Sequence, residues 1–512
     1  MEKMTMYTKV RCVLAVMVIF ALGFDSALSK DEKSEEKKKE TESAEVEEKL
    51  SETTHQVVID GQRIEYKAVA GTMALTEDDE DAKASVFYIA YLRTEVKDPA
   101  KRPLTFSFNG GPGSSSVWLH LGLLGPRRVL MDSVGNAPAP PYELVDNEYS
   151  LLDKTDLVFI DPVSTGYSRA AEGEEAKQFH GVQEDIKSVG EFIRLYTTKN
   201  ERWASPKFLI GESYGTTRAA GLSGYLQNKH GMFLNGIMLV SSILDFQTAR
   251  FTGGNDMPYI LFFPTYTATA WYHKRLAPDL QNDLQGALKE SEEFALGEYA
   301  SALLKGDALS DSARQSVIKK IARLTGMTEK YVGQTNLRIQ IFRFTKELLR
   351  DQRRTVGRLD SRFVGIDEDA AGESNDYDPS YSNILGAYST TLNDYVRREL
   401  EFKSDLPYQI LTGKVHPWNY GKYKNRYVYV AETLRQAMTK NPNLKVYIAN
   451  GYYDLATPYL ATRYTFDHLG LDKSLRGNIN MKYYEAGHMM YIHIPSPIQQ
   501  RADLVEFIDS AL

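Results

Sequence analysis

Cysteine is almost missing from this sequence. Cys12 is the only one in 512 residues. That leaves no cysteine nucleophile, Cys-based zinc site or iron–sulfur cluster to consider. Excess positive charge is missing too: the formal net charge is −7, so composition implies no nucleic-acid partner. The apolar run near the start, VLAVMVIFALGF (13–24), is too short to span a bilayer. The glycine-rich stretch NGGPGSSS (109–116) lacks the lysine that a phosphate-binding P-loop needs after its last glycine. Pro112 in its middle breaks the geometry of a dinucleotide fingerprint, whose glycines open a helix directly. No internal repeat is present, and neither a cofactor nor a metal is expected.

What is there begins with an export signal. Lys3, Lys9 and Arg11 precede the apolar run, and Ala27-Leu28-Ser29 offers a small-residue cleavage site. Residues 1–29 therefore read as a signal peptide, with an uncleaved anchor as the rival reading. The expectation is an exported protein, periplasmic or secreted, with no stable membrane span after cleavage. Cut after Ser29, the chain has no cysteine, so it uses no disulfides although export permits them. Residues 30–56 hold 16 charged residues in 27, 10 acidic and 6 basic. With almost nothing apolar to bury, the stretch reads as a charged, disordered linker.

From residue 57 on, periodicity takes over. VVIDGQRIEYKAVAG (57–71) reads as a hairpin turning at Asp60-Gly61. Apolar strands follow at 85–92, 104–109, 156–161, 207–211 and 235–242, alternating with helical patterns at 175–198 and after 215. Such alternation implies a mostly parallel sheet covered on both faces. The rhythm breaks from 246 to 393, where helical spacing dominates. It returns with a helix over 426–440, strands at 444–450 and 478–487, and a last helix over 498–511. The expected architecture is an α/β core in two parts, 57–245 and 394–512, interrupted by a helical cap at 246–393.

The chemistry centres on FLIGESYGTTRAAG. Gly211-x-Ser213-x-Gly215 stands between an apolar strand and a helical pattern, the context a nucleophile elbow requires. The helix starting near Tyr214 aims backbone N–H groups at the serine. In an α/β-hydrolase fold the acid and the base follow the serine in that order. Six histidines lie downstream. His230, His273, His416 and His468 fall on helices, in the cap or just beyond it. His488 follows a strand in a glycine-flexed loop and is the preferred base, with His493 the runner-up. Asp454, in the loop after the 444–450 strand, is the preferred acid over Asp467 and Asp472. It would fix one nitrogen of His488 while the other takes the proton of Ser213. The oxyanion then needs two backbone donors: Tyr214, the residue after the nucleophile, and Gly111 in the upstream glycine loop.

NGGPGSSS, GESYG and GHMMY, in that order, resemble the serine carboxypeptidases, as does DPVSTGYSR (161–169). The resemblance runs from about residue 85 to the C-terminus, the cap being poorly covered, and suits a bacterial-type exported member. It implies an α/β-hydrolase fold and release of C-terminal residues from peptides or small proteins with a free C-terminus. It implies the triad Ser213, Asp454 and His488 and the oxyanion hole Gly111 and Tyr214. Asn109 and the Gly110 N–H would bind the substrate's terminal carboxylate. Glu212 would assist as a neutral carboxylic acid, since two close carboxylates cannot both stay ionised, and Met489 would line the leaving-group pocket. Three positions depart from the family pattern. Ser114 stands where a cysteine is usual, Ser107 where a tryptophan is common, and Leu123 where a second glutamate belongs. Glu212 then stands alone, or a cation such as Arg127 or Arg128 takes over. Leu123 keeps open an esterase or acyltransferase on the same machinery. A catalytically silent binding protein is the third reading. The basic stretch from Arg338 to Arg362 reads as solvated surface charge.

Overall fold

The computed structural model describes residues 46–76 and 81–512. The expected signal peptide and most of the charged linker lie outside the described residues. Among those residues, no helix is long and apolar enough to cross a membrane.

The frame is one large sheet. In chain order its main strands are β1 (Leu50–Ile59), β2 (Gln62–Leu75), β3 (Ala84–Arg93), β4 (Leu104–Phe108), β5 (Asp156–Ile160), β6 (Lys207–Glu212), β7 (Gly236–Val240), β8 (Lys445–Gly451) and β9 (Ile479–Tyr484). Across the sheet they run β1-β2-β3-β5-β4-β6-β7-β8-β9, and the two-residue strand Arg169–Ala170 pairs with β3. The pairs from β5 through β9 are parallel, and β1, β2 and β3 form an antiparallel edge. The β1–β2 turn is Asp60-Gly61, both with positive φ, as a two-residue hairpin of the primed type demands. β1 begins at Leu50, seven residues before the hairpin read from the sequence. Residues 50–56, expected within the disordered linker, are therefore strand: exposed Glu52, Thr54 and Gln56 alternate with Thr53, His55 and Val57 on an edge strand, where one face stays wet.

Strand alternation fills a core on each face. Phe87, Ile89 and Tyr91 of β3 enter one cluster, and Val86, Tyr88 and Ala90 enter the other. Helices α1 (Val182–Lys199) and α2 (Tyr214–His230) cover the second face together with the helix Ala431–Lys440. That last helix starts at Ala431 rather than 426. Tyr429 pairs instead in a β-bridge with Asp245, Val430 caps the helix, and Val428 and Val430 are buried.

Residues between Ile260 and Val356 build a third apolar cluster of short helices. It also takes in Tyr453, Leu455 and Tyr459 from the far side of β8. The cap core is thus shared with the loop that carries Asp454. The long helix Pro379–Arg398 belongs elsewhere: Ile384, Tyr388, Leu392 and Tyr395 pack into the first sheet cluster.

Candidate active site

The site lies at the C-terminal ends of β4, β6 and β8. β6 stops at Glu212, and Ser213 sits at φ 60°, ψ −128°, a conformation that costs a non-glycine residue on the order of 1–3 kcal/mol. Helix α2 starts at the next residue. Two glycines permit this crowding. A Cβ on Gly211 would lie 2.2 Å from the Gly215 carbonyl oxygen. A Cβ on Gly110 would lie 2.4 Å from the Tyr214 nitrogen, so the glycine loop after β4 presses its backbone against the elbow. The Tyr214 N–H heads a helix and has no intrahelical partner. The Gly111 N–H donates to no acceptor among the described residues.

The loop is tied down from behind. Arg218 of α2 is buried and donates to the Asn109 carbonyl at 2.6 Å, while its other nitrogens hold Asp185 at 2.8 and 3.0 Å. Asp161, the first residue of DPVSTGYSR, accepts from the Ser116 N–H at 2.8 Å and from the Tyr408 hydroxyl at 2.7 Å. Ser114, where a cysteine is usual in the family, accepts from the Trp118 indole N–H at 2.9 Å.

His488 and Asp454 come together as expected from their loops. His488 Nδ1 donates to Asp454 Oδ2 at 2.7 Å, with Asp454 fully buried. Asp454 also accepts from the backbone N–H groups of Ala456 and Thr457 and from the Thr457 hydroxyl, at 2.7 to 3.0 Å. The His488 main chain is fixed by Ser241, which donates to its carbonyl, and by Leu359, which accepts from its N–H, both at 2.7 Å. Burial pulls the His488 pKa down, but the Asp454 carboxylate outweighs it and the net direction is up. Ser213 and His488 line one cleft of about 400 Å³, with no hydrogen bond between the Ser213 hydroxyl and the ring. Catalytic contacts often tighten only when substrate is bound.

Asn109, Gly110, Glu212 and Met489 line the same cleft. Asn109 Nδ2 donates to Glu212 Oε1 at 3.0 Å, and the Tyr491 hydroxyl donates to Glu212 Oε2 at 2.5 Å. Glu212 is pushed up to about 7, first by burial and further by the Asp454 charge, against the pull of His488 and its two hydrogen-bond donors. Burial is the largest cause, so the shift does not depend on the glutamate that Leu123 replaces.

The alternatives are occupied or distant. His230 bonds Glu191 at 2.9 Å and His273 the Ser361 carbonyl at 2.7 Å, while His468 stacks on Tyr464. His493 contacts Ser496, and burial lowers it to about 4. His416 does line the cleft. Asp472 caps Ser474, and Asp467 ends a helix. Neither suggested cation replaces the missing glutamate: Arg127 pairs with Asp146 and Glu399, and Arg128 pairs with Glu148. Leu123 is buried in the apolar core.

Sequence reasoning missed two residues of the site, Tyr491 behind Glu212 and Arg358 in the cleft wall. Tyr491 ends the quoted GHMMY motif without a role assigned to it. Arg358 stands in the basic stretch read as surface charge, yet it lines the cleft beside Ser213. No residue type distinguishes it from the other arginines of the stretch, of which Arg338, Arg343, Arg350 and Arg362 pair with Asp256, Glu373, Glu347 and Asp360. Among the described residues no group of three or more His, Cys, Asp or Glu is placed to hold a metal ion.

Comparison with known proteins gives the family and the fold. Residues 60–492 match the family model described as serine carboxypeptidase. Serine carboxypeptidase-like 45 of Arabidopsis thaliana is 28% identical over 197 residues, 36% of this chain and 38% of that relative, so the match spans well under half of the relative's length. Serine carboxypeptidase-like 34 from the same plant is 25% identical over 433 residues, 80% of this chain and 75% of the relative. Among solved structures, the Saccharomyces cerevisiae prohormone-processing carboxypeptidase KEX1 superposes with a TM-score of 0.56. The match covers 87% of this chain and 91% of that one at 18% identity. The sheet and its helices have the α/β-hydrolase fold.

Proposed function

The chain belongs to the serine carboxypeptidase family, and from that premise we propose that it is a serine-type carboxypeptidase acting through an acyl-enzyme on Ser213. The observation that carries this reading is the Asn109–Glu212 pair in the cleft of Ser213 and His488. A neutral carboxyl beside an amide donor suits a guest that is itself a carboxylate. Ser213 attacks the last peptide carbonyl while His488 Nε2 takes its proton, and Asp454 holds the Nδ1–H. The oxyanion is met by the N–H groups of Gly111 and Tyr214. The leaving amine takes the proton from His488, and water then repeats the sequence on the acyl-enzyme. Asn109, the Gly110 N–H and protonated Glu212 hold the terminal carboxylate, with Met489 against the departing side chain. The chemistry calls for no metal or cofactor.

The substrates are peptides or small proteins with a free C-terminus, met after export to a periplasmic or extracellular space. Residues 1–29 act as the signal, and the insertion 246–393 stands between the core segments 57–245 and 394–512, capping them up to the helix Pro379–Arg398, which packs into the sheet core.

The test offers a blocked dipeptide as free acid, as C-terminal amide and as simple ester, from acidic to mildly basic pH. Release from the free acid alone is expected. Turnover of esters only would overturn the reading in favour of an esterase or acyltransferase, which Leu123 favours by removing one carboxyl from the usual pair. Absence of fluorophosphonate labelling, beside a Ser213→Ala control, would point to a silent binding protein.

A further inference from the structure

A second pocket, of about 190 Å³, opens on the other side of the nucleophile. It shares Gly111, Pro112, Ser213 and Arg358 with the cleft, but none of Asn109, Glu212, His488 or Met489. If the terminal carboxylate sits at Asn109 and Glu212, the leaving residue occupies the cleft. The acyl half of the substrate must then lie across Ser213, in this second pocket. The assignment rests on the carboxypeptidase reading above.

The pocket's charge is one-sided. Arg358 and Arg250 both line it, and no Asp or Glu does. Neither guanidinium forms an ion pair with a described residue. Arg250 is exposed at the rim and lies 5.4 Å over the Phe246 ring. Arg358 is partly buried, and its backbone N–H, not its side chain, bonds Asp378 at 3.1 Å. Burial pushes the Arg358 pKa down, Asp378 and Asp454 pull it up, and Arg250 adds its own repulsion. A guanidinium cannot escape by deprotonating, so both cations persist without a direct ion pair, Asp378 and Asp454 acting on Arg358 only at longer range. The rest of the wall mixes apolar side chains, Ile243, Ala249 and Trp418 among them, with Tyr420 and Thr457. Two buried donors stand there as well. The Tyr214 hydroxyl and the Trp418 indole N–H sit on rings packed edge to face at 5.6 Å, the indole facing the hydroxyl oxygen. The pocket offers positive charge, and no carboxylate lines it.

We propose that this pocket takes an acidic side chain, so that the enzyme selects peptides whose penultimate residue is Glu or Asp, with Arg358 and Arg250 as the specificity-determining residues. An acidic side chain would supply the carboxylate that both cations lack. A lysine there would bring a third positive charge to the same place.

Acyl-side choice can be read without the leaving-group carboxylate. The p-nitrophenyl esters of blocked Glu, Leu and Lys are compared with the blocked dipeptides Glu-Ala, Leu-Ala and Lys-Ala as free acids. In both series kcat/KM for Glu should exceed that for Lys by at least about tenfold, since like charges at close range cost several kcal/mol. Arg250, being exposed, is changed to Gln and to Glu. The Gln variant should shrink the Glu-to-Lys ratio and the Glu variant should invert it, a ratio that partial misfolding does not move. Arg358→Gln should shrink it in the same direction. Equal rates for Glu and Lys, or a ratio unmoved in both Arg250 variants, would overturn the pocket assignment. Ester selectivity without any dipeptide hydrolysis would support the pocket and overturn the carboxypeptidase reading. No turnover of any ester, with no labelling of Ser213, would overturn both.

Discussion

The Tyr491 hydroxyl donates to Glu212 Oε2 at 2.5 Å, and so fixes from behind the carboxyl that faces the cleft. This bond favours the charged form of Glu212 and opposes the burial that drives its pKa up to about 7. In Tyr491→Phe the pKa of Glu212 should rise further. The alkaline loss of kcat/KM on free-acid peptides should then move to higher pH by on the order of one unit. A profile that keeps its position would show that Glu212 does not govern that limb.

Glu212 also makes stability depend on pH. Its folded pKa, about 7, lies above the value of 4.5 for the free side chain. The neutral form is native below both values, and the penalty for ionising grows as pH rises through 7. In wild type the associated stability is full below about pH 4.5 and lost above 7, by on the order of 3 kcal/mol. Glu212→Gln should therefore unfold at higher urea than wild type at pH 9 and at a similar concentration at pH 4. Equal midpoints at pH 9 would contradict the assignment. The same variant removes a negative charge that raises the His488 pKa, so the acidic limb of ester hydrolysis should move to lower pH.

Asp454 holds the pKa of His488 above its ordinary value against burial. Asp454→Asn should lower kcat by about 10⁴-fold, by analogy with triads whose acid is changed to an amide. The residual activity should persist to lower pH, because an imidazole without its carboxylate stays neutral further down. A loss below about tenfold would indicate another acid.

Arg218 joins Asp185 to the Asn109 carbonyl in the buried layer behind the glycine loop. Arg218→Met should cost about 3–5 kcal/mol, because it strands the Asp185 carboxylate. Adding Asp185→Leu should recover most of that stability. The double variant should keep a raised KM for free-acid peptides, since the Asn109 carbonyl has still lost its donor. Urea melts and the ratio of KM for free acid to ester check the two halves separately.

Much of the site was legible in the sequence because it depends on local sterics. GESYG between a strand and a helix leaves few backbone solutions, and Gly211 must be small for the turn to close. The loop positions of Asp454 and His488 follow from where their strands stop. The helix over 426–440 was less legible, because a VYV run suits either period until packing decides it.

The sequence by itself determined the order Ser213, Asp454, His488, the strand–turn–helix around the serine, and the glycine loop that comes before it. These are properties of neighbouring residues and of where apolar runs end. Only the tertiary structure decided the electrostatics. It paired Arg127, Arg128, Arg338 and Arg362 with carboxylates and left Arg358 unpaired against the cleft. It also set Tyr491 on Glu212 across 279 positions of chain. The charge state of a side chain depends on burial and on partners within a few ångströms. Those partners come from distant parts of the sequence, so no local pattern records them.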